Sequence, residues 1–415
     1  MNQHRKRLHV VICGYYGKGN LGDEIILETM LRSMRAAFPE TTFVVFSDNP
    51  RQTSQSFGVA SVMKRGSWFD WLRRIRVLIS ADLFILGGGG ILMDYGASAA
   101  VLLKGLEPLD VAQLLGVPTM TYGIGVGDVY TGKGQDALRT RLNETSVVCV
   151  RDRDSQVRLA ELGVQKCVVT GDPGVTISDQ FGIGYGQRAL HVSSPQVSVF
   201  LRHWFVNKDE TTDIRTWERF EDNLAEFLDI LVETRAASVV FAPMRTVSSR
   251  DDDRVVAKEV VDRMTQKKAA TILEGEPSTS KLMELVSQSD LVVGMRLHSV
   301  ISAASVGTPT IAVSYASKVE SFMQSIGAAE WVLRPDQCSV ETLQGLSEKV
   351  FAGNYPRETL RVGLEKLKES ERQNVAHAAD LLLRAEGRRR RLSKAMAGLG
   401  IATGVKRRRT NQNGT

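Results

Sequence analysis

The sequence predicts an α/β protein of two halves, each a parallel sheet with helices on both faces. Three observations carry this. Short apolar runs alternate with amphipathic helical segments through both halves. At 415 residues the chain exceeds the size at which a single core stops growing. A glycine- and serine-rich stretch without period, Ser178 to Pro195, interrupts the alternation between the halves.

In the first half, Leu8 to Cys13 reads as a strand and GYYGKGNLGDE as a loop, followed by an amphipathic helix from Glu24 to Phe38. Strands follow at Thr42 to Ser47 and at Leu83 to Leu86, the latter running into Gly87 to Gly90 with Asp94 beyond. Thr119 to Tyr122 is a strand opening a glycine loop, GIGVGD. Val147 to Val150 ends at Arg151, a helix from about Asp154 stops at Gly163, and Val168 and Val169 lead to Thr170-Gly171-Asp172-Pro173. In the second half, strands Val197 to Leu201, Ser238 to Ala242 and Ala270 to Leu273 alternate with helices Trp217 to Thr234, Asp252 to Met264 and Ser278 to Ser287. Then come the apolar run Leu291 to Met295, the break Arg296-Leu297-His298, a helix closed by Gly307 and Pro309, the strand Thr310 to Tyr315 and the helix Val319 to Ile326. Helical period resumes from Arg357 to about Arg384. The expected division is 1–178 and 196–350 as two Rossmann-like domains facing across a cleft, 351–386 as terminal helices, and 387–415 as a disordered basic tail.

Composition narrows the class. Hydrophobic residues at 43% and charged residues at 24% are ordinary for a globular protein. The four cysteines are widely spaced, and Cys13 and Cys149 sit in apolar runs, which predicts buried thiols in a reducing, cytoplasmic compartment. No run approaches the length of a membrane span, and the N-terminus reads as a first strand instead of a secretion signal. Nine basic and no acidic residues follow Gly387, so the formal net charge of +6 leaves −3 for the body. Such a tail suits an anionic membrane surface. It interleaves no aromatic residue, so nucleic acid is not an expected partner.

Chemistry concentrates where strands end. In an open α/β sheet, ligands collect beyond the carboxyl ends of the strands, and a helix N-terminus there favours an anion. Arg296 adds a planar fork of donors at such a point, and His298 a group that exchanges a proton near neutral pH. Arg151 ends another strand, although Arg151-Asp152-Arg153-Asp154 is also compatible with a self-neutralised surface patch. Gly17-Lys18-Gly19-Asn20-Leu21-Gly22 satisfies G-x-G-x-x-G, with Asp48 where a ribose-binding acid would stand, so an NAD-dependent enzyme is an alternative. Against it, Tyr15 and Tyr16 lengthen the turn, and Asp23 and Glu24 would repel a pyrophosphate. No His/Cys/Asp cluster calls for a metal, and no cofactor is expected.

Taken jointly, GYYGKGNLGDE at 14–24, GGGGILMD at 87–94, VRDRDS at 150–155, GDP at 171–173, GMRLHS at 294–299 and SYASKVESF at 314–322 resemble the polysaccharide pyruvyl transferase family. The resemblance implies a fold similar to the two-domain glycosyltransferase B type, and transfer of pyruvate from phosphoenolpyruvate to a sugar hydroxyl pair as a cyclic ketal. It implies Arg151, Arg296, Leu297, His298 and Lys318 on the donor side, with His298 as general acid and Arg151 and Arg296 as its catalytic partners. Asn20, Asp23, Glu24 and Asp94 are expected toward a sugar, lipid-linked or polymeric acceptor. Val126 departs from the proline usual in the family at that loop. A nucleotide-sugar glycosyltransferase and an inert basic-tailed binding protein are the competing readings.

Overall fold

The computed structural model describes residues 7–94, 98–186, 190, 193–203, 214–247, 249 and 251–398. Its first sheet is built from β1 (His9–Cys13), β2 (Thr42–Ser47), β3 (Ala60–Met63), β4 (Leu83–Leu86), β5 (Gly89–Leu92), β6 (Thr119–Val126), β7 (Val147–Val150) and β8 (Val168–Val169). The order is β3-β2-β1-β4-β6-β7-β8, with β5 on β6, and every pairing is parallel. The second sheet holds β9 (Gln196–Phe200), β10 (Ser238–Phe241), β11 (Ala270–Ile272), β12 (Leu291–Gly294), β13 (Thr310–Val313) and β14 (Val332–Leu333) in the order β11-β10-β9-β12-β13-β14, again all parallel. In both, the order reverses beside the first strand, and a crevice opens at the carboxyl ends of the strands at such a point.

The central strands β4, β6, β12 and β13 are buried on both faces, which explains why they read as continuous apolar runs instead of alternating ones. The N-terminal sheet is covered on one face by a cluster containing Phe84, Leu106 and Leu138, and on the other by one containing Ile26, Met30 and Tyr122.

Several elements differ from the sequence reading. The helix after β1 begins at Leu21, three residues before Glu24, because the Asn20 side chain accepts the Gly22 amide as its cap. GIGVGD is mostly strand: β6 continues to Val126, with a register shift between Thr121 and Ile124. A further helix, Trp68–Ile79, was not expected, although Trp68, Trp71, Leu72, Ile75 and Ile79 form an apolar stripe at helical spacing. The terminal helix runs from Arg357 to Gly398, so the basic segment begins as helix, and 399–415 lie outside the described residues. This helix returns to the first domain: Ala378, Leu381 and Leu382 join its core, Glu371 accepts from the Tyr122 hydroxyl, and Thr170 bonds Asn374 at 2.7 Å.

Candidate active site

The two sheets face each other across a cleft of about 770 Å³ lined by strand ends and helix starts from both halves. The glycine loop after β1 spans it. Leu21 donates to the Met244 carbonyl at 2.8 Å and Thr246 to the Gly19 carbonyl at 3.0 Å, so the loop adds a short rung to the second domain. Gly19 has φ +63°, and a Cβ there would meet the Thr246 carbonyl oxygen at 2.4 Å. The space a dinucleotide would need is thus filled by backbone, and Asp48 faces Lys18 and Arg65 at 3.6 and 3.8 Å. The G-x-G-x-x-G spacing serves domain closure here.

His298 lies in the first turn of the helix Leu297–Val306, for which Arg296 is the N-cap. Its Nε2 stands 3.5 Å from Asp172 Oδ1, an ion-pair separation that is long for a hydrogen bond. The imidazole is boxed in by two glycines. A Cβ on Gly22 would come within 2.5 Å of Nδ1, and one on Gly174 within 3.2 Å of Cδ2. Arg151 reaches the same carboxylate from β7: its Nε donates to Asp152 at 2.7 Å and Nη1 lies 3.8 Å from Asp172 Oδ2. The guanidinium rests on Gly125, where a Cβ would be 2.7 Å from Cζ. Gly125 of β6 is therefore clearance for Arg151, and Gly123, at φ +54°, clears the Gly171 carbonyl. Burial would raise the Asp172 carboxyl, but His298 and Arg151 outweigh it and hold the group below its usual range.

Arg296 comes from the end of β12 and is gripped by Asp253, whose carboxylate accepts from Nε at 3.1 Å and from Nη2. Asp253 also accepts the Met244 and Arg245 amides, so a buried anion fixes the guanidinium in place. Lys318 and Arg202 lie over the Tyr315 ring at 5.3 and 4.4 Å from its centroid. Burial pushes the Tyr315 phenol up, yet Lys318, Arg202 and Arg296 overcome it and bring the group down to about 7. Leu297 lines the cleft as the first residue of its helix, with its side chain in the second-domain core.

The residues expected toward the acceptor separate. Asn20 and Asp23 line the cleft, and the Asn20 amide donates to Asp23. Burial lifts the Asp23 carboxyl to about 6 against the pull of His298 and Lys318. Glu24 turns away: its carboxylate accepts the Gly17 amide at 2.7 Å and closes the glycine loop. Asp94 borders the cleft, but its oxygens accept the Tyr130 and Thr131 amides at 2.7 and 3.0 Å and the Thr131 hydroxyl. It organises the start of the helix Gly132–Glu144. Val126 donates its amide to Ser155 Oγ at 3.0 Å, a bond that proline could not make.

Sequence reading passed over Asp172, Asp253, Arg202 and Tyr315 as site residues. Asp172 and Tyr315 lay inside motifs already singled out, and Asp253 looked like an ordinary acid in a first helical turn. Arg202 directly follows the strand Val197 to Leu201, the same signal that marked Arg151, and could have been found by it.

The polysaccharide pyruvyl transferase family model matches residues 20–317, which takes in all of these groups except Lys318. The chain belongs to the polysaccharide pyruvyl transferase family. Among relatives of this pyruvyl transferase family member, the amylovoran biosynthesis protein AmsJ of Erwinia amylovora is 28% identical over 116 residues, 28% of each chain. The alignment therefore spans little more than a quarter of that relative's length. In architecture the chain is similar to a glycosyltransferase of Rickettsia africae (TM-score 0.55, 10% identity, 91% of this chain and 99% of that one). It is equally similar to the UDP-GlcNAc 2-epimerase of Methanocaldococcus jannaschii (TM-score 0.55, 12% identity, 85% and 98%). Two parallel α/β sheets in the manner of glycosyltransferase B enzymes are the fold, and pyruvylation of glycans is the activity of the family. Among the described residues no group of three or more His, Cys, Asp or Glu is placed to hold a metal ion, and no helix is long and apolar enough to cross a membrane.

Proposed function

We propose that this enzyme transfers the pyruvyl group of phosphoenolpyruvate onto two hydroxyls of one sugar, forming a cyclic ketal and releasing phosphate. The observation that carries the reading is the meeting of Arg151 and His298 on Asp172, with Arg296 locked by Asp253 along the same cleft. A compact donor carrying carboxylate and phosphate needs several fixed cations, and guanidinium groups suit both anions.

His298 acts as the general acid, giving its proton to the methylene carbon of the donor and leaving C2 electrophilic. Asp172, 3.5 Å from its Nε2, orients the ring. One sugar hydroxyl adds to C2, phosphate departs, and the second hydroxyl closes the ring. Of the two hydroxyl protons lost, one balances the new methyl hydrogen and the other leaves with phosphate. Asp23 is the base that accepts the first of them: a buried carboxylate with a proton affinity raised to about 6 removes a proton better than an exposed one. Arg151, Arg296, Leu297 and Lys318 bind the donor, with Arg202 and Tyr315 beside Lys318. Asn20 and Asp23 face the acceptor, whereas Glu24 and Asp94 support it only through the loops they close. The reaction belongs to the cytoplasmic side, where phosphoenolpyruvate is made.

Mass spectrometry of candidate glycans and glycan precursors incubated with enzyme and phosphoenolpyruvate tests this. A product heavier by pyruvic acid less one water, formed with equimolar phosphate, is expected. Thermal stabilisation by a nucleotide sugar but not by phosphoenolpyruvate, with no such product, would assign the cleft to glycosyl transfer instead.

A further inference from the structure

The helix Trp68–Ile79 is built inside out. Its cap is complete, with the Ser67 hydroxyl and the Asp70 carboxylate each bonding the other's backbone amide. Its inward face is anchored by Leu78 and by Arg74, which donates to the Met63 carbonyl and pairs with Glu107 on the next helix, Ala100–Leu114. The large apolar side chains point to solvent: Trp68 is 63% exposed, Phe69 75%, Leu72 41% and Ile79 67%. Trp68 stacks on Trp71 with centroids 5.1 Å apart, which holds the aromatic surface in one orientation. Arg65, Arg73 and Arg76 are exposed among them, and Arg73 and Arg76 form no ion pair among the described residues.

We propose that this face docks the enzyme on an anionic lipid bilayer, with the helix lying in the interface. Trp, Phe, Leu and Ile interspersed with unpaired arginines are what an interfacial helix requires: apolar rings for the acyl boundary and guanidinium groups for lipid phosphates. The charge argues against a second copy of this chain, because a two-fold contact through this patch would set Arg73 and Arg76 against their own equivalents. The location gives the contact a use. Lys64 and Arg65, just before the helix, line the cleft, as do Val101 and Leu102 of the neighbouring helix. A bilayer on this face would therefore lie beside the N-terminal wall of the cleft, which carries Asn20 and Asp23. The surface is separate from the C-terminal basic tail and stands whatever reaction the cleft performs.

The test is flotation of the full chain with phosphatidylglycerol–phosphatidylcholine vesicles and with pure phosphatidylcholine vesicles. Three proteins are compared: wild type, Trp68→Ser/Phe69→Ser and Arg73→Gln/Arg76→Gln. Wild type is expected to float with the anionic vesicles, with a blue shift of tryptophan fluorescence. The arginine pair should weaken that binding about 30-fold, at roughly 1 kcal/mol per basic residue near the surface. The aromatic pair should weaken it roughly tenfold or more and abolish the blue shift. All of these side chains are exposed, so unfolding temperature should stay at the wild-type value, which separates loss of the surface from loss of the fold. Unchanged flotation of both variants would overturn the proposal and leave the tail as the membrane contact. So would concentration-dependent self-association that the aromatic substitutions abolish without any vesicle binding by wild type.

Discussion

Replacing Gly22 by alanine separates folding from catalysis at one methyl group. The position is helical and its φ is not positive, so the backbone accepts alanine. Helix propensity favours the change by up to about 1 kcal/mol. The new Cβ, however, would stand 2.5 Å from His298 Nδ1, where ordinary contact begins at 3.4 Å. The ring must therefore move by about 1 Å, and a displacement of that size at a reacting group costs roughly 10²-fold in rate. It cannot retreat freely, since Gly174 and Asp172 close its other sides. Gly22→Ala should thus stay folded but unfold somewhat below the wild-type temperature, since overpacking costs about 1–3 kcal/mol against that gain, bind phosphoenolpyruvate within a few-fold of wild type by calorimetry, and lose about 10²-fold in kcat for phosphate release. Wild-type kcat in a folded Gly22→Ala protein would show that the position of His298 does not govern turnover.

Further outcomes follow from the same geometry. If Asp23, raised to about 6 by burial, is the base, kcat/KM for the acceptor climbs as pH rises through about 6 and the carboxyl loses its proton. Asp23→Asn should remove that limb of the profile and cost about 10² to 10⁴-fold in kcat. Arg296→Ala strands a buried Asp253 carboxylate and should lower stability to urea by about 3–5 kcal/mol; adding Asp253→Asn should restore most of that stability without restoring donor affinity. Tyr315 should show a tyrosinate absorbance change with a midpoint of about 7, absent in Tyr315→Phe. Because a phenolate repels an anionic donor, phosphoenolpyruvate affinity should weaken above that pH in wild type and not in Tyr315→Phe.

Much of this molecule was legible in its sequence because buried parallel strands must be apolar throughout and must end where the chain turns polar. Val147 to Val150 before Arg151 and Leu291 to Gly294 before Arg296 are such endings, and both arginines border the cleft. Partnership across the fold was not legible. Asp253 is far from Arg296 along the chain, and an acid in a first helical turn has a sufficient local reason to be there. Glycine gave the most misleading signal. Gly19 and Gly22 fit a dinucleotide fingerprint, yet one clears a carbonyl of the other domain and the other clears an imidazole. Absence of a side chain records that something lies close, and only the fold tells what. Trp68–Ile79 is the converse case: its apolar stripe has helical spacing and was there to be read, but only the fold shows that the stripe faces solvent.

The claim on which the account turns is that His298 protonates the methylene carbon of phosphoenolpyruvate. Running the reaction in heavy water and examining the ketal by NMR measures that step directly. The account predicts one deuteron in the ketal methyl group formed by wild-type enzyme, and no ketal from a folded His298→Gln protein that still binds the donor. A ketal methyl without solvent deuterium, or undiminished ketal formation by His298→Gln, would contradict it.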